Sequence, residues 1–432
     1  MKRILTNGTF GLVHLSRFNV LEIKEVVIAT YLLLFKCVFF FFSLSPQKQK
    51  VVFVVSFEEN AYYIHQEMVM RNVPFEIVFL CKPSLLKNLQ SKLPDTKIIP
   101  FEAPKVFFWF QSIYHLATAK VVIVDNYFAF LSSIKFKRNV ECFQVWHAAG
   151  ALKKFGLKDK STSNRRNAAI KRFKKVYEKF NKIVVGSEEM ADIFMECFDV
   201  PSENILRMGI PRTDFFYEED NQEKVKSLLY KEHPFLKDKK VILYAPTFRD
   251  TQLDHFKFEL DIEKMYSELK EDYVLLIKLH PAVKYNSDLQ TLYPEFLYDF
   301  SKYKGINELL VVTDYLITDY SSIPFEFALL NKPMIFYPYD LEEYQLQRGV
   351  IPNYIEQVPG PVVFKTEEII NRLKRDQFDL GQVYEFSNRW NRYSNGKSSG
   401  NLVQYIIAQL EVAPASQVNQ LDVTPTGKSI WR

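Results

Sequence analysis

Residues 51–71 read VVFVVSFEENAYYIHQEMVMR, and this stretch decides the fold. Its first seven residues form a continuous apolar run rich in valine, which is typical of a buried parallel strand. Residues 61–71 then read as a helix. Similar apolar runs follow at 75–80, 121–124, 141–146 and 182–185, and a second helical stretch is predicted at 164–180. This alternation predicts an α/β unit with a parallel sheet.

The alternation restarts after a charged segment at 218–240, which includes Pro234 and reads as a helix plus a linker. Further strands are predicted at 241–244, 274–278, 308–312, 315–318 and 334–337. We therefore expect two doubly wound domains, 48–225 and 235–411, with ligands bound in a cleft at the carboxyl ends of their strands. The polar tail, 412–432, lacks periodicity and is expected to be disordered.

The composition is that of a globular protein, with 432 residues, 47% hydrophobic and 25% charged. Four cysteines lie far apart without a CxxC pair, which argues against a disulfide framework and a cysteine zinc site and fits a reducing compartment. The sequence has no Walker-type phosphate loop, no GxGxxG after the first strand, no GxSxG elbow and no His/Asp cluster with metal-ligand spacing. We expect neither a cofactor nor a metal.

Residues 26–45 read VVIATYLLLFKCVFFFFSLS, about the length that a bilayer needs, with Lys36 in the middle. A central lysine costs about 2.5–3.5 kcal/mol on insertion scales, which does not exclude a span. The late start and the lack of a small-residue cleavage site argue against a signal peptide. We expect residues 1–47 to associate with a membrane through a helix that lies in the interface, with Lys36 snorkelling. The alternative is a buried core helix.

The net charge is only +5, but residues 153–182 carry twelve lysines or arginines and only Asp159 and Glu178 as acids. Such a face is a solvated helix, or it binds an anionic membrane surface, a pyrophosphate-bearing ligand or nucleic acid. Because no nucleic-acid motif accompanies it, we expect no nucleic-acid partner.

Two histidines sit where predicted strands end. His147 ends a strand beside the small residues of the segment AAG, in a cleft with room for a ligand, and histidine suits proton transfer near neutral pH. On position alone a structural role for His147 is favoured over catalysis. In the second half, alternation puts Lys278 and His280 on the same side, where two cations suit a phosphate.

The segment TDYSSIPFE, from Thr318 to Glu326, gives the strongest local signal. A strand ending in Thr318 and Asp319 leads into Ser321 and Ser322, and a proline falls in the first turn of the next helix. Serine hydroxyls and free N–H groups at a helix start form an anion site, although the serines can equally be caps. Glu326 binds ribose hydroxyls or merely sits favourably at the helix start.

Other strand ends face the same predicted cleft. Arg249 follows a strand directly, where its guanidinium is placed to clamp a phosphate. Gly186 and Ser187 lie in one strand-to-loop turn of the first half, and Arg212 lies in another.

Eight blocks of sequence, taken in order along the chain, match the motifs of a known family. They are VWHAAGALKKFG (145–156), VVGSEEM (184–190), GIPRTD (209–214), LYAPTFR (243–249), IKLHP (277–281), ITDYSS (317–322), NKPMIFYPYD (331–340) and RYSNGKSSG (392–400). With them the chain resembles the CDP-glycerol glycerophosphotransferase family of Gram-positive wall teichoic acid synthesis, over about residues 45–410. Ala148 stands where that family often has glycine, and Asn395 where aspartate is common.

The resemblance implies a GT-B fold, in which two Rossmann-like domains face a cleft, the acceptor lying mostly on the first and the nucleotide on the second. It implies transfer of glycerol phosphate from CDP-glycerol with release of CMP. His147 and His280 fall on the family's two histidines. His147 would accept the acceptor's proton, Ser321 and Ser322 would hold the diphosphate, and His280 and Arg249 would offset charge on CMP.

Within the family, the chain looks most like the primases, which add the first glycerol phosphate to an undecaprenyl-diphosphate-linked disaccharide. That implies a peripheral enzyme on the cytoplasmic face of the cell membrane, at an anionic inner leaflet. Three alternatives stay open: another glycerol- or ribitol-phosphate transferase or polymerase of the family, a GT-B hexosyltransferase that uses a nucleotide sugar, and a non-catalytic membrane scaffold.

Overall fold

The computed structural model describes residues 7–160, 162, 165–249, 252–253, 256–280, 282–283 and 289–411, and it describes no side chains at 7–22 and 411. The predicted disordered tail, 412–432, and Pro281 of the IKLHP block lie outside the described residues.

The first half of the chain forms a seven-stranded, all-parallel sheet. Its order is β3-β2-β1-β4-β5-β6-β7, so consecutive strands diverge from the centre where β1 pairs with β4. The strands are β1 (Lys50–Val55), β2 (Glu76–Cys81), β3 (Lys97–Pro100), β4 (Val121–Val124), β5 (Glu141–Gln144), β6 (Lys182–Val185) and β7 (Ile205–Arg207). The helices are α1 (Asn7–Ser43), α2 (Glu59–Met70), α3 (Leu86–Lys92), α4 (Val106–Thr118), α5 (Asn167–Tyr177), α6 (Glu188–Phe198) and α7 (Glu219–Glu232).

The second sheet has five parallel strands in the order β10-β9-β8-β11-β12. Its strands are β8 (Lys240–Ala245), β9 (Tyr273–Ile277), β10 (Leu297–Asp299), β11 (Tyr315–Thr318) and β12 (Met334–Phe336). The helices are α8 (Phe235–Asp238), α9 (Ile262–Leu269), α10 (Leu289–Leu292), α11 (Ile306–Val312), α12 (Ile323–Phe327), α13 (Leu341–Gln347), α14 (Tyr354–Gln357), α15 (Thr366–Arg375), α16 (Leu380–Trp390) and α17 (Ser398–Glu411). Both sheets are doubly wound, as predicted.

The strand predicted at 308–312 is wrong, because these residues belong to helix α11. The residues from Leu309 to Val312 are all buried, and a short, fully buried apolar run has no period that separates strand from helix. Three strands escaped prediction: β3, β7 and β10. Each lies at the edge of its sheet and has only three or four residues, so its apolar run is too short to stand out.

One side of helix α1 packs against the first domain, and the other side is exposed. Phe35 and Phe39 are buried, and the ring of Phe35 lies 5.1 Å from that of Phe130 and 5.9 Å from that of Trp109. Among the described residues, one helical stretch, Ile23–Ser43, is long and apolar enough to cross a membrane by length and composition.

Helix α17 returns to the first sheet. Leu402, Val403 and Ile406 of α17 pack in the same cluster as Val51 and Phe53 of β1. We therefore propose that residues 398–411 be grouped with the first sheet, although the sequence predicted a second domain running from 235 to 411.

The start of α17 is held by a buried carboxylate of the GIPRTD block. Asp214 accepts hydrogen bonds from the backbone N–H groups of Ser398 (2.9 Å) and Ser399 (2.8 Å). Gly209 lies next to this contact with φ +84°, and a Cβ there would overlap Ser398 and Tyr393. The GIPRTD and RYSNGKSSG blocks therefore bind each other.

Replacing Asp214 by alanine should lower the free energy of unfolding by about 1–3 kcal/mol, because two buried N–H groups lose their acceptor. Urea denaturation followed by circular dichroism measures this, with Asp220→Ala, at an exposed position, as the matched control. Equal midpoints for the two variants would contradict the assignment of Asp214 as the cap of α17.

Candidate active site

The centre of each sheet, where the strand order reverses, is closed by a buried aspartate. In the first sheet Asp125 follows β4, and its carboxyl group, whose pKa burial raises to about 8, accepts hydrogen bonds from the backbone N–H groups of Ser56 and Phe57 (both 2.7 Å), which follow β1. Crevices at such switch points are the usual ligand sites of doubly wound sheets. Asp125 therefore fixes the floor of a candidate site.

His147 lies directly above this floor. Its imidazole is stacked between the rings of Phe57 (4.4 Å between centroids) and Trp146 (4.5 Å), and its Nδ1 lies 2.9 Å from the backbone oxygen of Asp125. Because a carbonyl oxygen only accepts hydrogen bonds, Nδ1 carries the proton, which leaves Nε2 with a lone pair.

The environment of His147 keeps the ring neutral. Burial lowers the pKa of His147, the bond to the Asp125 carbonyl opposes this, and the positive charges of Arg212 and Lys153 add to the lowering, so that the pKa lies at about 4. The ring is therefore neutral at pH 7 with a free Nε2 lone pair, and it can accept a proton there as a weaker base than an ordinary histidine.

The turn that carries His147 is held by Asn60 of α2. The Asn60 amide donates to the backbone oxygens of Val145 (3.0 Å) and Trp146 (2.9 Å), and its Oδ1 accepts from the Arg212 N–H (3.0 Å). Trp146 has a φ of +52°, a conformation that non-glycine residues rarely adopt without such support. Asn60 thus ties the histidine turn to the Arg212 loop.

The small residues after His147 accommodate protein as well as ligand. A Cβ on Gly150 would overlap the ring of Phe325 in α12. From the sequence we expected the space beside His147 to hold a ligand, whereas part of that space is filled by the second domain.

The second sheet has the corresponding aspartate. Asp319 follows β11, and its Oδ1 accepts from the N–H groups of Thr247 (2.8 Å) and Tyr320 (2.6 Å), while its Oδ2 pairs with Arg249 (2.9 Å). The remaining face of the Arg249 guanidinium makes two 2.7 Å hydrogen bonds to Asp340. Arg249 is buried, and these bonds occupy the N–H groups of its guanidinium with carboxylates. Its role as a phosphate clamp stays a prediction.

Arg212 and Glu326 join the two halves. They form a buried ion pair between the GIPRTD loop and α12. Within the described part of the chain, the Arg212 Nε is buried without a hydrogen-bond partner. Glu326, for which the sequence allowed a ribose-binding role, is placed on Arg212 instead of facing an open cleft.

Lys278 and His280 follow β9, but they point to different partners. The Lys278 amine donates to the backbone oxygens of Ser301 (3.0 Å) and Tyr303 (2.6 Å), so it fixes a loop. The His280 Nδ1 accepts from the Ala282 N–H (3.1 Å), which leaves the proton of the neutral ring on Nε2. Burial lowers the His280 pKa, and the charges of Lys153 and Lys278 lower it further. His280 is therefore a hydrogen-bond donor, complementary to His147.

The remaining predicted residues divide into structural and open groups. Thr318 donates to the Ala245 oxygen (2.7 Å), Ser187 caps α6 through the Met190 N–H (3.2 Å), and Gly186 packs under Ile210. Ser321 accepts weakly from the Ile323 N–H (3.3 Å), and Ser322 precedes the five-residue α12 without a side-chain cap bond. The two serines thus stay candidates for binding a ligand.

Sequence reasoning missed Asn60 and Asp125. Asp125 follows the run VVIV and had the same strand-end signal that identified His147. Asn60 had no signal of its own, because its partners lie 85, 86 and 152 residues away. Among the described residues, no group of three or more His, Cys, Asp or Glu side chains is placed to hold a metal ion.

Comparison with known proteins agrees with this architecture. The family described as CDP-Glycerol:Poly(glycerophosphate) glycerophosphotransferase matches residues 37–408. The teichoic acid glycerol-phosphate primase of Bacillus subtilis (strain 168) is 37% identical over 386 residues, 89% of this chain and 99% of that protein. The primase of Bacillus spizizenii (strain ATCC 23059 / NRRL B-14472 / W23) is 40% identical over 363 residues, 83% and 92% of the two chains.

A solved structure, that of the wall teichoic acid polymerase TagF, superposes with a TM-score of 0.72 at 24% identity, covering 92% of this chain and 98% of that one. The GT-B expectation, two Rossmann-like units facing a cleft, is confirmed.

The geometry of His147 can be tested by NMR with labelled histidine, the resonance being assigned by its loss in His147→Gln. We expect a titration midpoint near pH 4 and the tautomer protonated on Nδ1, since burial and two neighbouring cations disfavour the charged ring. A midpoint of 6 or above, or an Nε2-protonated ring, would contradict the assignment.

Proposed function

Because the chain belongs to the CDP-glycerol:poly(glycerophosphate) glycerophosphotransferase family, we propose that it transfers glycerol phosphate from CDP-glycerol to an undecaprenyl-diphosphate-linked disaccharide and releases CMP. Membership makes it a transferase of teichoic acid synthesis. The observation that carries the finer proposal is the match to two glycerol-phosphate primases over almost their whole length.

The proposed reaction is an in-line displacement at the β-phosphorus of CDP-glycerol. The acceptor hydroxyl oxygen forms a new bond to that phosphorus, the bond from phosphorus to the CMP oxygen breaks, and the hydroxyl proton passes to Nε2 of His147. General-base assistance of this kind contributes about 10²–10⁴-fold. The support is the tautomer that the Asp125 carbonyl imposes and the stacking of Phe57 and Trp146, which hold the lone pair in place.

The donor phosphates are proposed to bind at the second sheet. The His280 Nε2–H and the hydroxyls of Ser321 and Ser322 are the donors available for phosphate oxygens and for the charge that develops on CMP. Arg249 contributes by holding Asp319 and Asp340 in place, because its own donors are already directed to those carboxylates. No step requires a metal.

We propose that the enzyme rests on the cytoplasmic membrane surface through the α1 outer face. We define this face by its exposed apolar side chains: Val26, Val27, Leu33, Leu34, Phe40, Phe41 and Leu44. It continues onto α4, where Val106 and Phe107 are exposed and Phe110 contacts Phe42 of α1, with 6.5 Å between ring centroids.

Basic residues of α5 lie beside α1. Arg172 of α5 pairs with Glu25 of α1 (3.0 Å), which places α5 beside α1 with Lys171 and Lys175 exposed. An apolar helix side next to a cationic helix fits an interface of anionic lipids, where a lipid-linked acceptor lies. Lys36 is exposed, as a snorkelling lysine would be.

The function is tested by CMP release from CDP-glycerol with a soluble analogue of the lipid-linked disaccharide, followed by mass analysis of the product. We expect a product heavier by one glycerol phosphate, and His147→Ala should lose at least about 100-fold in rate while still binding CDP-glycerol. His233→Ala, a half-buried histidine against Phe300, is the matched control.

Other outcomes separate the alternatives. A ladder of additions would identify a polymerase, and turnover of CDP-ribitol or a nucleotide sugar in place of CDP-glycerol would contradict the donor assignment. Full activity of His147→Ala would exclude His147 as the base. A chain that binds no nucleotide would be a scaffold.

Membrane binding is tested by co-sedimentation with phosphatidylglycerol-containing vesicles. Leu34→Gln with Phe41→Gln should weaken partitioning at least about tenfold, because both side chains, 55% and 68% exposed, would otherwise be buried in lipid. Leu346→Gln, at a 75% exposed position on α13, should bind as the wild type does. Equal binding by both variants would refute the α1 outer face as the contact.

A further inference from the structure

Lys153 leaves the basic stretch to which it belongs in sequence. Its neighbours Lys154, Lys171 and Lys175 are exposed, whereas Lys153 is partly buried and turns toward the second domain. Its Nζ lies 5.8 Å from the ring centroid of Phe248, and that ring lies 4.5 Å from the imidazole of His280. A lysine of the first domain therefore reaches into the phosphate side of the cleft.

The backbone around Lys153 is fixed to the second domain. The Lys154 N–H donates to the Gly349 oxygen (3.1 Å), and the Ile351 N–H donates to the Leu152 oxygen (3.0 Å), so Lys153 and Val350 form an antiparallel bridge. This bridge spans the two domains six residues after His147. It holds the base of the lysine side chain in a constant position relative to both histidines.

Within the described residues, the Lys153 Nζ forms no ion pair within 4.0 Å. The negative charges of Asp319 and Asp159 favour its charged form from farther away, and Asp319 is already bonded to Arg249 (2.9 Å). Its charge acts on both histidines, since it lowers the pKa of His147 and of His280. The charged form of an amine that is shielded from water, as that of Lys153 is, is stabilised when an anion binds next to it.

We propose that Lys153 binds the phosphoryl group in transfer, the β-phosphate of the donor, and stabilises its charge as the bond to CMP breaks. The proposal rests on the proposed function. The sequence left solvent, an anionic membrane surface, a pyrophosphate-bearing ligand and nucleic acid open for the whole basic stretch, and the proposal assigns Lys153 individually to the transferred phosphate. The assignment to the transferred phosphate follows from the place of Lys153 on the His147 loop, whereas the CMP phosphate is assigned to the donors of the second sheet.

The test compares Lys153→Met with Lys154→Met, its exposed neighbour, and with Lys153→Arg, which keeps the charge. Binding of CDP-glycerol and of CMP is measured by calorimetry, and kcat and KM by CMP release. Lys153→Met should lower kcat/KM at least about 30-fold and weaken CDP-glycerol binding, with CMP affinity within twofold of the wild type. Lys154→Met should match the wild type, and Lys153→Arg should regain part of the loss. Thermal melts show whether each variant is folded.

Two results would overturn the inference. One is a Lys153→Met enzyme with the kinetics of Lys154→Met. The other is an equal loss of CMP and CDP-glycerol affinity, which would place the amine on the nucleotide and not on the transferred group. If the wild type itself does not bind CDP-glycerol, the proposed function fails, and that result is distinct from either of these.

Discussion

The hydrogen bonds of two buried aspartates hold the active cleft together. Asp125 and Asp319 occupy equivalent places, each just past the fourth strand of a parallel sheet, and each accepts N–H groups of the segment that follows the sheet's first strand. At this point consecutive connections run to opposite sides of the parallel sheet, which leaves a crevice at the carboxyl ends of its two central strands. The two carboxyl groups accept hydrogen bonds from the N–H groups at the edge of this crevice and keep it rigid.

The two aspartates then diverge in what they serve. The backbone oxygen of Asp125 fixes the tautomer of His147, so one residue sets both the floor of the cleft and the position of the His147 lone pair. Asp319 uses its second oxygen to hold Arg249, which in turn holds Asp340. In the proposed reaction the first sheet therefore positions the proton acceptor, while the second sheet carries the groups proposed to bind the donor phosphates.

Much of this was predictable from the sequence, and the reasons for the rest are physical. Buried strands such as β1 and β8 are continuous apolar runs, and His147 and His280 follow strand ends where ligands bind. The roles of Asn60, Arg249 and Glu326 depend on partners that are 70 or more residues away and belong to other elements. No local pattern reports such partners. The helix α11 was misread because its last four residues are all buried, which removes the periodicity on which such predictions rest.

The return of α17 to the first sheet has a consequence for synthesis of the protein. The side of β1 that Leu402, Val403 and Ile406 cover stays open to solvent until residues 398–411 have left the ribosome. The N-terminal unit cannot complete its core before then, although it is made first. A nascent chain interrupted before Asp214 meets Ser398 therefore lacks the cap that seats α17.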